Sequence, residues 1–220
     1  MLQAVIFDID GVLVDSYSAH FESWRTLVRD YGGEMTEDFF AKTFGRTTRD
    51  ILALLWPQGL EEKTIQALDR RKEGLYRQIL QKNFPLMDGA AELIEQLKSD
   101  GFQLAVGSSG PPENVALVLE KVGKQHFSAA ITGHDVRHGK PDPEVFLRAA
   151  ERLGVPPHHC AVIEDATAGI EAANKANMVS VALLSTGHTA EEFDKARPDL
   201  IVQSLREISP GMLNALRLSI

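Results

Sequence analysis

The chain has 220 residues, 44% hydrophobic and 25% charged, which fits one large globular domain or one domain carrying an insert. A formal net charge of -8 with no Lys/Arg-rich run argues against a nucleic-acid partner, and no apolar stretch approaches a membrane span. The single cysteine, Cys160, leaves no internal disulfide, and the N-terminal apolar run meets Asp8 too soon for a signal peptide. A cytoplasmic protein is therefore expected. No residue pattern signals an oligomer, so a monomer is expected.

The first element is the apolar run 4–7, which reads as a buried strand and ends on Asp8, Asp10 and Gly11. From 16 to 83 no strand-like run appears. Helical periods occupy 19–31, 37–44, 48–56 and 61–81 instead. This region reads as a helical-bundle cap, 16–83, inserted into an α/β core made of 1–15 and 84–220. Asp15-Ser16 and Asn83-Phe84-Pro85 are the expected hinges.

Beyond the insert, a helix follows Asp88 and stops at Gly101, and others cover 112–122 and 143–153 with Gly123 and Gly154 as stops. Apolar runs at 103–106, 129–132, 160–163, 179–183 and 200–202 alternate with most of these helices. Cys160 opens the third of those runs and reads as a small buried strand residue. Continuous apolar strands separated by amphipathic helices predict a Rossmann-like parallel sheet flanked by helices on both faces.

Ligands of such sheets bind beyond the carboxyl ends of the strands. The residues there are Asp8, Asp10 and Gly11; Ser108 and Ser109; Asp135 and Lys140; and Glu164 and Asp165. Converging carboxylates need a cation, and an oxygen-only donor set without His or Cys suits Mg²⁺. Lys140 and Ser108 suit the oxygens of a phosphate. A carboxylate can attack phosphorus while a second one moves protons.

Other readings of these residues fail on spacing. An EF-hand loop also starts Asp-x-Asp, but here Gly11 is fourth rather than sixth and Ala19 stands where its closing glutamate would be. Pro141 replaces the Ser/Thr that follows the lysine of a phosphate-loop NTPase, and no Gly-x-Gly-x-x-Gly appears. The paired His158-His159 reads as loop rather than metal site.

Asp8-x-Asp10-Gly11-Val-Leu-x-Asp15-Ser16, the strand ending in Ser108, Gly139-Lys140-Pro141 and Glu164-Asp165-Ala-x-Ala-Gly together resemble, in order, the four motifs of the haloacid dehalogenase superfamily. The resemblance is closest to its beta-phosphoglucomutase-like phosphatases and phosphomutases. It implies Asp8 as the nucleophile that becomes phosphorylated and Asp10 as general acid/base with its backbone carbonyl on the metal. Ser108 and Lys140 would bind the phosphoryl oxygens, and Glu164 and Asp165 would hold Mg²⁺ together with Asp8. Gly11, Ser109 and the cap residues His20, Trp24, Arg46, Arg49 and Lys72 are the expected substrate contacts. The cap would close over the substrate about the two hinges.

The activity so implied is Mg²⁺-dependent hydrolysis of a small phosphorylated metabolite, a sugar phosphate or a phosphoglycolate-like ester, through a phospho-aspartate. The alternative is a beta-phosphoglucomutase-type phosphomutase using the same aspartyl phosphate. The mutases carry Lys and Asn at the positions of Pro111 and Pro112 and an arginine at or beside Thr48, which tilts the expectation towards the phosphatase. A non-catalytic regulatory protein of the same fold would show a damaged motif, and none is damaged. A dehalogenase would lack Asp10.

Overall fold

The computed structural model describes residues 1–44, 47–185 and 189–218. Chain contacts divide them into two compact units, Met1–Asp15 with Pro85–Ile220 and Ser16–Phe84. The first unit closes on itself at the insertion point. Asp15 donates its N–H to the Pro85 carbonyl at 2.9 Å, and Val14 pairs with Leu86. Those pairs place Pro85 with the strands and leave Phe84 on the helical side.

The first unit holds six parallel strands in the order β3-β2-β1-β4-β5-β6. They are β1 (Ala4–Phe7), β2 (Gln103–Gly107), β3 (Phe127–Ile131), β4 (Cys160–Glu164), β5 (Val179–Leu183) and β6 (Leu200–Val202). β1 lies mid-sheet between β2 and β4, and all four of its residues are buried, as a strand covered on both faces requires. The chain winds outward from β1 to β2 and β3, then returns to β4 on the other side. The switch point therefore lies between β1 and β4, whose carboxyl ends carry Asp8 and Glu164.

On one face Ala4, Ile6, Ala105 and Val162 pack against α7 (Glu144–Leu153) and α8 (Thr167–Lys175) through Phe146, Ala149, Ala172 and Ala173. Also in this unit are α5 (Ala90–Ser99), α6 (Pro112–Val122) and α9 (Pro210–Leu218). Cys160 is buried in β4, and that burial pushes its thiol up to about 12.

The second unit contains α1 (Tyr17–Asp30), α2 (Glu37–Thr43), α3 (Thr48–Leu55) and α4 (Glu62–Lys82). Thr36 caps α2 by accepting the Phe39 N–H, and Thr47 caps α3 by accepting that of Asp50. α4 packs along α1, and Trp24, Leu27, Phe40, Ile51, Leu52 and Leu68 form the unit's own core.

Two differences from the sequence reading have local causes. β3 starts at Phe127 and stops at Ile131 rather than running over 129–132. A 3₁₀ turn at Lys124–His126 feeds its start, and Thr132 turns away because its N–H and hydroxyl both donate to Asp135 Oδ2, at 2.8 and 2.7 Å. α8 lies outside the expected helices because small Ala and Gly residues fill much of it and leave no apolar stripe in the sequence. No described helix is long and apolar enough to cross a membrane.

Ile6 is fully buried at the centre of the sheet. Ile6→Ala should cost about 2–5 kcal/mol, read as a lowered urea midpoint at unchanged slope.

Candidate active site

The site is assembled by strand ends. Asp8 follows β1 directly, and its N–H donates to the Ile163 carbonyl at 3.0 Å, tying β1 to β4 at the last rung. Ser108 follows β2, with its N–H on the Ile131 carbonyl at 3.0 Å. Glu164 is the last residue of β4, and Asp165 comes next. Lys140 arrives from the long loop after β3.

Lys140 Nζ lies 2.7 Å from Asp8 Oδ1 and 2.7 Å from Glu164 Oε1, and it stands 4.9 Å above the Phe146 ring. Glu164 is 1% exposed, and its Oε2 accepts the Ala166 N–H at 2.6 Å. Asp165 Oδ2 accepts the Ser185 hydroxyl at 2.9 Å. Ser108 Oγ accepts the Gly110 N–H at 3.0 Å, which fixes the hydroxyl within the turn after β2.

Two glycines make this packing possible. Gly11 has φ +73°, and a Cβ there would lie 1.7 Å from Asp165 Oδ2. A Cβ on Gly169 of α8 would lie 1.8 Å from Glu164 Oε1. Each glycine leaves the space that a buried carboxylate occupies. Gly11, an expected substrate contact, is thus a neighbour of Asp165.

The electrostatics are those of buried charges facing one another. Burial pushes Asp8 up to about 7; the Lys140 ammonium pulls against that, and the Glu164 and Asp10 charges add to it. Burial also raises Asp165 well above the usual carboxylate range, helped by Glu164 and Asp8 and opposed by the Ser185 hydrogen bond. Burial works against the Lys140 ammonium, but Asp8 and Glu164 overcome it and hold its pKa above the usual lysine value. One carboxylate oxygen from each of Asp8, Glu164 and Asp165 can be chosen so that all lie within 4.8 Å of one another. That buried, all-oxygen set fits a hard divalent cation, which would relieve the repulsion.

The remaining expected residues are distributed as follows. Asp10 is half-buried beside the cluster. Ser109 is exposed, and its carbonyl packs against Gly133, where a Cβ would come within 2.3 Å. In the helical unit, Lys72 is only 4% exposed. Its Nζ meets His20 Nδ1 and Glu73 Oε1, both at 2.8 Å, and lies over the rings of Trp24 and Tyr76. His20 stacks on Tyr76 with centroids 4.1 Å apart. Arg49 is exposed and holds both oxygens of Glu62 at 2.8 Å. Arg46 lies outside the described residues. Sequence reasoning did not single out Ser185 or Phe146, and it held Gly169 only as the glycine of the fourth motif. Ser185 follows β5, so the strand-end rule could have found it.

The haloacid dehalogenase-like hydrolase family profile matches residues 2–177. The chain belongs to that family. Among haloacid dehalogenase-like relatives, a phosphorylated carbohydrates phosphatase from Thermotoga maritima is 32% identical over 94% of this chain and 100% of its own. A beta-phosphoglucomutase from Bacillus subtilis is 34% identical over 82% of each. Among solved structures, a haloacid dehalogenase hydrolase from Entamoeba histolytica superposes with a TM-score of 0.91 at 27% identity, covering 99% of this chain and 100% of that one. The chain is accordingly an enzyme.

Asp8 holds its proton more tightly in the folded chain than in the unfolded one. Its contribution to stability therefore falls as pH rises from the ordinary carboxylate range through about 7. A cation competes with that proton. The rise in thermal midpoint on adding Mg²⁺, measured against chelator, should grow between about pH 5 and about pH 8. An increment independent of pH would contradict the assignment of Asp8 as a ligand.

Proposed function

We propose that this chain is a Mg²⁺-dependent phosphatase of small phosphorylated metabolites, with phosphorylated carbohydrates as the leading class, working through an aspartyl phosphate on Asp8. The observation that carries the reading is Lys140 Nζ, 2.7 Å from both Asp8 and Glu164 in a buried cluster. An ammonium there favours the anion of Asp8 against the effect of burial and lies where phosphoryl oxygens would need charge.

Asp8 would attack phosphorus through a carboxylate oxygen, and the ester oxygen would leave with a proton from Asp10. Asp10 would then take a proton from water as that water attacks the aspartyl phosphate, releasing phosphate and restoring Asp8. Ser108 and Lys140 would orient the phosphoryl oxygens. Asp8, Glu164 and Asp165, with the backbone carbonyl of Asp10, would hold Mg²⁺. The ion would supply charge neutralisation at the phosphoryl group. In this reading the enzyme acts as a cytoplasmic monomer.

Pro111 and Pro112 support hydrolysis over mutase chemistry. They open α6 without an N–H or a polar side chain, where the mutases place Lys and Asn. The second reading, a beta-phosphoglucomutase-type phosphomutase, draws on His20 and Trp24, which gather with Lys72 in the helical unit as candidates for selecting substrate.

Wild-type protein with Mg²⁺ should release phosphate from a panel of sugar phosphates, and Asp8→Asn should abolish release; release at the wild-type rate would remove Asp8 as nucleophile. Asp10→Asn should slow turnover far more than it weakens Mg²⁺ binding, measured by thermal shift and by turnover at saturating Mg²⁺. Supplied with beta-glucose 1-phosphate, the enzyme should yield free phosphate. Glucose 6-phosphate formed without hydrolysis would decide for the mutase.

A further inference from the structure

Lys140 reaches the cluster from a loop whose positions 137–139 are exposed, with Val136 packed on the core before them and the Pro141 carbonyl accepting from Lys175 Nζ at 3.0 Å after them. A Cβ on Gly139, the residue before Lys140, would meet nothing within 4 Å. Fixing a lysine side chain costs rotamer freedom, so a firmly held backbone helps to keep it in place. The proximal end of the loop is tied by Asp135 to Thr132. The distal end is tied by Glu144, the first residue of α7.

Glu144 Oε2 accepts the N–H groups of Arg137 and His138, at 2.8 and 3.1 Å. Its Oε1 accepts Nε and Nη2 of Arg148, one turn along α7, at 2.8 and 2.6 Å. Its own N–H donates to Asp142 Oδ1 at 3.0 Å, and the Asp142 N–H donates to the Gly139 carbonyl at 3.0 Å. The Glu144 carboxylate thus grips the loop before Lys140, its backbone N–H holds Asp142 after it, and the guanidinium of Arg148 sets the carboxylate's orientation. Phe146, two residues further along the same helix, supplies the ring under the ammonium.

We propose that Glu144 is a positioning residue, which holds the 137–143 loop so that the Lys140 ammonium stands between Asp8 and Glu164. The inference rests on the phosphoryl-binding role given to Lys140. A carboxylate suits the task because each oxygen accepts two hydrogen bonds. A glutamine oxygen could keep the two loop N–H groups, but its amide nitrogen cannot accept from Arg148.

The test measures modification of Lys140 by an amine-reactive reagent, followed by mass spectrometry with exposed Lys98 as internal reference, beside steady-state hydrolysis of a sugar phosphate. In Glu144→Ala, Lys140 should label several-fold faster relative to Lys98, and kcat/KM should fall by about tenfold or more, as misplacement of a catalytic group does. Glu144→Gln should recover part of both. Lys140 labelling at the wild-type rate in Glu144→Ala would overturn the inference, as would a Glu144→Gln variant no better than Glu144→Ala. The labelling readout needs no turnover. A wild-type protein inactive on every ester would therefore sink the phosphatase reading, while faster Lys140 labelling in the variants would still support the positioning role.

Discussion

The site depends on a buried ammonium shared between two buried carboxylates. Lys140, Asp8 and Glu164 are each almost fully removed from water, and each would be costly there alone. Together they compensate one another in part. One ammonium faces the carboxyl groups of Asp8, Glu164 and Asp165, and burial raises the affinity of Asp8 and Asp165 for a proton, with a Ser185 hydroxyl on Asp165 opposing that rise. Three carboxyl groups against one ammonium fit a cation that displaces their protons, and the third N–H of the ammonium suits an anion.

That arrangement constrains the scaffold around it. Parallel strands deliver Asp8, Ser108 and Glu164 at the same edge because all run the same way, and the switch of strand order between β1 and β4 puts two acid-bearing ends side by side. Gly11 and Gly169 then act by the volume they lack. With side chains at either position, a carboxylate oxygen would have to move. The helix behind the site, α7, both starts with the residue that grips the Lys140 loop and carries Phe146 beneath the ammonium. The geometry of the cluster and core packing are therefore carried by one element, and Phe146 belongs to both.

The helical unit follows a different logic. Its core is self-contained, with Trp24 buried in it, and Lys72 is enclosed by His20, Glu73 and aromatic rings instead of being solvated. Arg49, by contrast, is engaged with Glu62 at the surface. Residues that share a cationic character in the sequence thus have quite different environments. Helical spacing says which residues share a face, and it does not say whether that face finds an acid, a ring or water.

The sequence by itself was enough for the alternation of apolar runs and helices, the inserted helical segment, and the acids, serine and lysine at the strand ends. These features are local: a run of β-branched residues or a glycine stop is written in neighbouring positions. Strand order was not local. Only the tertiary structure decided that β4 returns beside β1, because pairing between strands far apart in the chain leaves no mark on either one. It likewise decided that Gly11 accommodates Asp165, that Ser185 supports that same carboxylate, and that Glu144 secures the loop of Lys140. Those are contacts between residues whose separation in sequence carries no information about distance, and close packing in a buried site determines them.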